Sequence, residues 1–427
     1  KPGRYSVYRK THLKWWIVNL FLNFGQQSIW LPFRDSHLGL WLLQLLGARV
    51  HSGATLNIDG LNPAVSLIDA DLLSIGDRAY IRRGALVQCH LFTEGSFILA
   101  PITLEERTVI WTRGVVEPGC TIEKTGILEH HSVLTMGNTL PSGMRAQGVP
   151  ATKMEPHNED GVKASSGIDK FIHTFMGFII LPYMMVGAFG VFFWVINTMV
   201  DNPTLHTFDW RVWVSLWPAF IITTIILGAA CCLFKWALIG RIKSGQLEND
   251  LSVRLSIVKF VSFLMMRFAL FCPRDLRWML VRGMGANVAY GSVTDCPLVE
   301  VAYADLLTME EGSFYSPAAY ADFAAFRNGQ VVLEEVRLES TAYVGAYSTV
   351  SAPIRLPPLS LLASTSTLAT GTQVESSQVW VGSPAKCVPI TLGDVTEDSH
   401  SLGGWSLLKN RIIDLSNHYF VVLLMSS

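Results

Sequence analysis

The side chains best suited to acid–base chemistry in this sequence are histidines with acidic neighbours. His90 is followed four residues later by Glu94. A neutral imidazole, whose unperturbed pKa is ~6.5, can accept a proton from an attacking amine, and a nearby carboxylate can fix its tautomer. We therefore predict His90 as a general base and Glu94 as its orienting acid. The alternative is a histidine that only hydrogen-bonds within its own loop.

His130 and His131 form a second pair of candidate residues and are adjacent in the sequence. Adjacent side chains in extended backbone point to different sides, so at most one of the two can face a shared groove. We predict a substrate-binding role for this pair, with a solvated turn as the alternative. A zinc site would need three convergent ligands, and these three histidines lack the spacing typical of one. We therefore predict no metal site.

The element that must position these histidines is indicated by aliphatic residues at every sixth position. A six-residue period matches neither the 3.6-residue period of an α-helix nor the two-residue period of an ordinary strand. It is typical of a parallel β-helix of hexapeptide turns, in which aliphatic side chains point inward and stacked coils bury a continuous core. We predict two left-handed β-helices from these fourteen positions: Leu104, Ile110, Val116, Ile122, Leu128, Leu134, Leu140, Leu338, Val344, Val350, Leu356, Leu362, Leu368 and Val374.

The two periodic blocks are copies of each other at a constant offset of 234 residues. Leu104 of the first block corresponds to Leu338 of the second, for example. The period is interrupted after Val87, which predicts a loop that leaves the first coil near His90. At the same offset His90 corresponds to Ala324, so the second β-helix lacks the predicted base.

Two long apolar stretches separate the β-helices. Residues 175–200 and 212–234 contain no charged residue, and each is long enough to cross a ~30 Å hydrocarbon layer at ~1.5 Å per residue. We predict a transmembrane hairpin, with two buried core helices as the alternative. Basic residues flank its outer ends, so both β-helices are expected on the cytosolic side of a multi-pass membrane protein. The more polar stretches 11–31 and 255–271 predict interfacial amphipathic helices.

The predicted organisation follows from these elements. It consists of an interfacial helix region (1–45), the first β-helix (46–160), the transmembrane hairpin (161–245), a second interfacial region (246–283), a degenerate second β-helix (284–395), and a linker with the start of a further membrane segment (396–427). The chain lacks an initial Met and ends in an apolar run, so we expect a fragment of a longer protein. A net charge of −1 provides no basic field for nucleic acid.

Several short motifs indicate a resemblance to a known family. They are Gly3-Arg4-Tyr5, Lys14-Trp15-Trp16, Leu46-Gly47-Ala48-Arg49-Val50, Cys89-His90-Leu91-Phe92 and Gly148-Val149-Pro150-Ala151. With them the chain resembles the membrane-embedded C-terminal region of nonribosomal-peptide-synthetase-like enzymes of the poly-lysine synthetase type, whose tandem domains are related to hexapeptide-repeat acyltransferases. In that family the loop reads approximately His-Leu-Phe-Glu-Asp-Arg. This chain keeps the histidine and one acid, Glu94, but has Gly95 in place of the arginine.

The resemblance implies an acyltransferase that forms amide bonds at a membrane. It implies upstream adenylation and carrier domains as partners, a phosphopantetheine thioester delivered by the carrier, and an amino acid or amine as substrate. No cofactor is expected to be bound by this fragment itself. The resemblance also implies that the protein can form oligomers, since simple hexapeptide transferases are commonly trimers.

Two other functions are consistent with the sequence. Degenerate β-helices could act as a non-catalytic membrane scaffold that anchors the upstream domains, and Ala324 favours that interpretation. The hairpin could instead form a path for the product. The absence of charged residues within both apolar stretches argues against a polar conduit.

Overall fold

A coil of eighteen residues and three faces is the structural unit of both copies. Where no segment is inserted, strand partners on a face lie eighteen residues apart, as for Val109 and Ile127, which corresponds to three hexapeptides per coil. The computed structural model describes residues 1–28, 37–56, 68–82, 84–158, 166–176, 181–199, 210–248, 254–255, 257–258, 261, 274–289, 292–294, 301–316, 318–327 and 330–391.

The first β-helix is preceded by one strand and two helices. These are β1 (Gly3–Ser6), α1 (Lys10–Ser28) and α2 (His37–Leu45). The strands of the coil and of its inserted hairpin are β2 (Arg49–Val50), β3 (Thr55–Leu56), β4 (Leu73–Ile75), β5 (Tyr80–Ile81), β6 (Leu86–Val87), β7 (His90–Thr93), β8 (Ser96–Leu99), β9 (Ile102–Leu104), β10 (Val109–Ile110), β11 (Val115–Val116), β12 (Thr121–Ile122), β13 (Ile127–Leu128), β14 (Val133–Leu134), β15 (Thr139–Leu140), β16 (Met144–Gln147) and β17 (Lys153–Pro156).

Three parallel sheets enclose the first core. Their strand orders are β2-β4-β9-β12-β15, β3-β5-β10-β13-β16 and β6-β11-β14, and β17 closes the second sheet in antiparallel pairing. A short 3₁₀ turn at Ala70–Leu72 leads into β4. Both the parallel pairing and the eighteen-residue step confirm the predicted β-helix architecture. Left-handed winding stays a prediction.

The inward-facing positions confirm the six-residue period almost completely. Thirteen of the fourteen predicted aliphatic side chains are at most 1% exposed. The exception is Val374, which is partly exposed and lies outside any strand. The matching residue of the first copy, Leu140, is buried in β15. The second coil therefore loses one strand at its last turn.

The corners of the coil require a backbone conformation that few residues adopt. Every sixth residue from Arg107 to Gly143 has a positive φ, including Thr125 at 60° and His131 at 49°. Left-handed backbone turns the chain sharply between two faces, at a steric cost for residues with a side chain. The sequence period thus has two components, an aliphatic residue that points inward and a left-handed residue at each corner.

The predicted interruption after Val87 is a β-hairpin. Strands β7 and β8 pair in antiparallel fashion, with His90 opposite Leu99. β1 adds to the other side of β8, with Gly3 opposite Leu99. This three-stranded sheet brings the start of the chain, and with it α1, to the corner where the hairpin leaves the coil.

The second β-helix repeats the coil after the helical region. Its strands are β19 (Asn287–Val288), β20 (Val293–Thr294), β21 (Leu307–Met309), β22 (Phe314–Tyr315), β23 (Tyr320–Asp322), β24 (Ala324–Arg327), β25 (Gln330–Leu333), β26 (Val336–Leu338), β27 (Tyr343–Val344), β28 (Thr349–Ser351), β29 (Ile354–Leu356), β30 (Leu361–Leu362), β31 (Thr367–Leu368), β32 (Gln378–Val381) and β33 (Lys386–Thr391), and it is preceded by β18 (Gln246–Glu248). Its sheets run β19-β21-β26-β29, β20-β22-β27-β30-β32-β33 and β23-β28-β31.

In the described residues, four further helices come between the two coils in the sequence. They are α3 (Gly167–Phe175), α4 (Leu181–Met199), α5 (Trp210–Leu238) and α6 (Arg274–Gly283). The pair α4 and α5 packs through Val195, Ile196 and Ala219. A fully buried ion pair joins the end of α5 to the second coil, since Lys235 Nζ lies 2.6 Å from Asp305 Oδ2.

Of the predicted transmembrane hairpin, the described residues contain one candidate span, and a hairpin of two spans is not shown. Among the described residues one helical stretch, Ile221–Leu238, is long and apolar enough to cross a membrane, with a mean hydropathy of 2.0. It overlaps the second predicted span, 212–234. The predicted interfacial helix at 255–271 and the membrane segment at 396–427 lie largely or wholly outside the described residues.

The chain forms two compact units. One contains residues 1–180, 247–256 and 324–332, and the other contains residues 181–246, 257–323 and 333–427. The first unit holds the first β-helix with α1, α2 and α3. The second holds α4, α5, α6 and most of the second β-helix.

Candidate active site

Three polar residues converge at the corner where the β7–β8 hairpin leaves the first coil. His90 is the first residue of β7. Gln88 directly follows β6 and is separated from His90 by one residue. Asp69 immediately precedes the 3₁₀ turn before β4. The stacking of coils brings Asp69 beside His90, although 21 residues separate them. The three side chains are therefore positioned by the solenoid itself and by its inserted hairpin.

The central interaction is a hydrogen bond between His90 Nδ1 and the carboxylate oxygen Oδ2 of Asp69. The imidazole is 11% exposed and the carboxylate 3%. The second carboxylate oxygen, Oδ1, accepts a hydrogen bond of 2.9 Å from the indole nitrogen of Trp15. A buried carboxylate needs such donors, because an uncompensated charge away from water is costly.

The other ring nitrogen of His90 contacts the side-chain amide of Gln88. An amide NH₂ can only donate, so a ring that carries its proton on Nδ1, facing Asp69, satisfies both contacts. In that tautomer Nε2 presents its lone pair. A general base needs this arrangement, since the carboxylate also stabilises the imidazolium that forms after proton transfer.

Aromatic rings surround the pair. The Trp15 ring lies edge-on to His90 with centroids 4.7 Å apart, and the Phe92 and Phe97 rings lie 5.9 and 6.0 Å from it. His12, one turn before Trp15 on α1, packs against Phe97 at 5.6 Å. These rings limit the access of water, which strengthens the electrostatic interaction between imidazole and carboxylate.

Cys89, next to His90, is not suited to act as a nucleophile. Burial and the negative charge of Asp69 raise the pKa of its thiol to about 12. The thiolate is the reactive form, and it is scarce at physiological pH when the pKa lies that high. The corner thus offers a base but not an activated cysteine.

The structure places Glu94 away from the role predicted for it. Glu94 is exposed at the turn of the hairpin, with a φ of 44°, and the carboxylate that contacts His90 is that of Asp69. Sequence spacing favoured Glu94 because it is close along the chain. The internal repeat carries a signal for Asp69, since at the 234-residue offset it becomes Tyr303 in the same copy that has Ala324 for His90.

His130 and His131 lie at a different corner of the coil, one residue after the end of β13. His130 is 8% exposed and packs against the Trp111 ring, with centroids 4.9 Å apart. His131 occupies a left-handed corner position, 3.5 Å from the Arg113 guanidinium. Burial, Arg113 and His130 together lower the pKa of His131 to about 3. The alternative of a solvated turn is therefore wrong for His130, and substrate binding by this pair stays a prediction.

The matching corner of the second copy holds neither the acid nor the imidazole of the first. Tyr303 is 6% exposed and lies 6.3 Å from the Phe323 ring, while Ala324 is 8% exposed. Asp322 occupies the position of Gln88 and is also buried. Within the described ranges no cluster of three potential metal ligands is found in either copy.

Comparisons with known proteins found a curated relative over most of the chain. The chain is 20% identical over 418 residues to the Delta-poly-L-ornithine synthetase of Acinetobacter baumannii (strain AB307-0294), which covers 91% of this chain and 29% of that protein. The chain is similar to a poly-amino-acid synthetase. It spans 29% of that relative's length. No family model matches the chain.

A match to a solved structure was also found. The hexapeptide-repeat-containing acetyltransferase from Vibrio cholerae aligns with 30% of this chain and 81% of its own chain, at 15% sequence identity and a TM-score of 0.22.

Proposed function

We propose that this chain is the membrane-bound acyl or aminoacyl transferase region of a nonribosomal-peptide-synthetase-like enzyme. It forms amide bonds on the cytosolic face from a thioester carried by an upstream carrier domain. The observation that carries the proposal is the contact of His90 with Asp69 and Gln88, which leaves the Nε2 lone pair as the basic site. The similarity to the Delta-poly-L-ornithine synthetase supports the reaction class.

The reaction needs one base and no further activation of the electrophile. The acceptor amine attacks the thioester carbonyl, so a C–N bond forms and the C–S bond breaks. His90 Nε2 takes the proton that the amine nitrogen must lose and returns it to the leaving thiolate. Asp69 holds the ring and stabilises the transient imidazolium.

Before substrate binds, Gln88 is the hydrogen-bond donor to His90. Its amide N–H occupies the Nε2 lone pair that the incoming amine must reach. An N–H of the acceptor replaces that donor, which preserves the tautomer of His90 as substrate binds. Trp15 keeps its hydrogen bond to Asp69 throughout, so the carboxylate remains compensated.

The membrane setting is part of this proposal. The apolar stretch in α5 and the packing of α4 against it support a helical hairpin between the β-helices. A hairpin returns the chain to its starting side, and the basic flanks favour the cytosol as that side.

The test uses the full-length protein in detergent or nanodiscs, loaded with amino acid through its own adenylation and carrier domains. Product is measured by mass spectrometry for wild type and His90→Ala. We expect His90→Ala to lower transfer by ~10²–10⁴-fold while loading of the carrier is unchanged. Transfer at the wild-type rate by a loaded His90→Ala enzyme contradicts the proposal.

A non-catalytic scaffold is the second candidate function. The second copy favours it, because a coil of the same geometry persists there with Tyr303 and Ala324 in place of the acid and the base. If both copies are scaffolds, His90→Ala leaves transfer intact. Deletion of the helical hairpin between the β-helices then uncouples the upstream domains from the membrane.

A further inference from the structure

Helix α1 has two faces of different character. Its inner face carries Trp15, which donates to Asp69, and His12, which packs against Phe97. Its outer face is apolar and exposed to solvent by 42–72% per side chain, and it is formed by Leu13, Trp16, Ile17, Val18, Leu20 and Phe21. At 100° per residue, these side chains centre on the side of the helix opposite Trp15.

The charge on α1 and just before it is of one sign. Arg9, Lys10 and Lys14 are exposed near its start, and the helix contains no acidic residue. Basic residues beside an exposed apolar face, with a tryptophan on that face, are typical of helices that lie in the headgroup layer of an anionic membrane.

A second exposed apolar face lies in the same compact unit. Ile168, Phe171 and Phe175 occupy one side of α3 and are 71%, 69% and 42% exposed. In the sequence, α3 leads directly into the apolar residues 176–199. Exposed apolar patches mark interaction sites, and two such faces beside apolar segments of the same chain favour a lipid surface as the occupant.

We propose that α1 lies on an anionic lipid surface with its outer face, and that Trp15 on its inner face holds the His90–Asp69 pair at that surface. Because a helix with its side chains is about 10–12 Å across, the pair lies within about one helix diameter of the headgroups. The carrier-bound donor and the acceptor then meet at the membrane plane. The consequence of this location for transfer rests on the proposed function, whereas the contact of α1 with lipid does not depend on it.

The experiment uses the full chain in nanodiscs of phosphatidylcholine with phosphatidylglycerol. A photoreactive benzoylphenylalanine is placed at Trp16 or at Leu20, and adducts are identified by mass spectrometry after irradiation. The matched control places it at Met136, which is 46% exposed on a corner of the first coil, close to the 50% of Trp16. We expect lipid adducts at Trp16 and Leu20 but not at Met136. Lower yields are expected on pure phosphatidylcholine and for Lys10→Gln combined with Lys14→Gln.

Each other outcome contradicts the inference. An absence of lipid adducts at Trp16 and Leu20, or equal yields at Met136, shows that α1 does not contact the bilayer. Adducts to protein at Trp16 assign the face to a second copy or another protein. Yields that do not depend on lipid charge remove the role of the basic residues. Since adducts are measured without turnover, a failure of His90→Ala to lower transfer leaves this result separate and interpretable.

Discussion

The two β-helices keep the same coil but differ at the corner from which each hairpin emerges. In the first, a buried carboxylate, an imidazole and an amide form one hydrogen-bonded chain. In the second, the corresponding positions hold Tyr303, Asp322 and Ala324. The inward aliphatic side chains are equally buried in both copies, apart from Val374.

The comparison separates what maintains the fold from what performs chemistry. The core of a solenoid is built from neighbouring coils, so its stability does not depend on polar residues at a corner. The acid and the base change together between the copies, which is expected if each is useful only with the other. The proposed function accounts for the coil without the pair by a division of labour between the two β-helices.

The largest expected effect contrasts Asp69→Asn with Tyr303→Phe at the matching position. An amide at position 69 no longer compels the proton onto His90 Nδ1, so the Nε2 lone pair is lost from much of the population. We expect Asp69→Asn to lower transfer by ~10²–10³-fold with normal carrier loading. Tyr303→Phe should leave the rate unchanged. Equal losses of transfer rate in the two variants, measured by the same product assay, would contradict the assignment of the chemistry to the first copy.

The next comparison tests whether the two cores are equivalent. Leu104→Ala and Leu338→Ala each remove a side chain that is at most 1% exposed, so each should destabilise its coil by about 2–5 kcal/mol. Val374→Ala, at a partly exposed position of the same period, is the control and should cost less. Thermal unfolding and limited proteolysis of the purified chain, mapped to each unit, provide the measurement. A large loss in one copy alone would show that the cores are not equivalent.

A smaller effect concerns pH and is specific to the first copy. The pKa of His131 is lowered from 6.5 to about 3 in the folded chain, so the unfolded chain binds the extra proton as pH falls below about 6.5. Stability is therefore lost as pH falls from about 6.5 towards 3. Thr365 occupies the matching position of the second copy. His131→Asn, which tolerates the left-handed corner, should flatten this part of the pH profile of unfolding, and an unchanged profile would assign it to other groups.

The smallest expected effect is that of Glu94→Gln. Glu94 is exposed at the hairpin turn, and substitutions at such surface positions usually change free energies by about 0.5 kcal/mol or less. The transfer rate should change by about twofold at most. A loss comparable to that of Asp69→Asn would restore Glu94 as the orienting acid.

The sequence predicted the coil well because its period is local and repeated. One hexapeptide specifies an inward side chain and a corner, and the same rule applies at each turn. Val374 fits the pattern of residue types but not the structure, since the last turn of the second coil has no strand at that position. Period alone does not reveal where a solenoid ends.

The site was predicted less completely because its contacts are not local. His90 could be identified from the interrupted period, but Asp69 lies 21 residues earlier and Trp15 a further 54 residues before Asp69. Their convergence depends on coil stacking and on the pairing of β1 with β8, neither of which is visible in the spacing around His90. In the sequence, Asp69 can be identified by comparing the two internal copies, because Asp69 and His90 are both replaced in the second.

The most direct test of the central claim is rescue of His90→Ala by added imidazole in single-turnover transfer from the loaded carrier. We expect a rate far below wild type that rises with the concentration of neutral imidazole, because the free base replaces the missing ring. Ala324→Gly in the second copy should show neither the loss nor the rescue. A His90→Ala enzyme that transfers at the wild-type rate, or whose loss imidazole does not reverse, would contradict the assignment of His90 as the base.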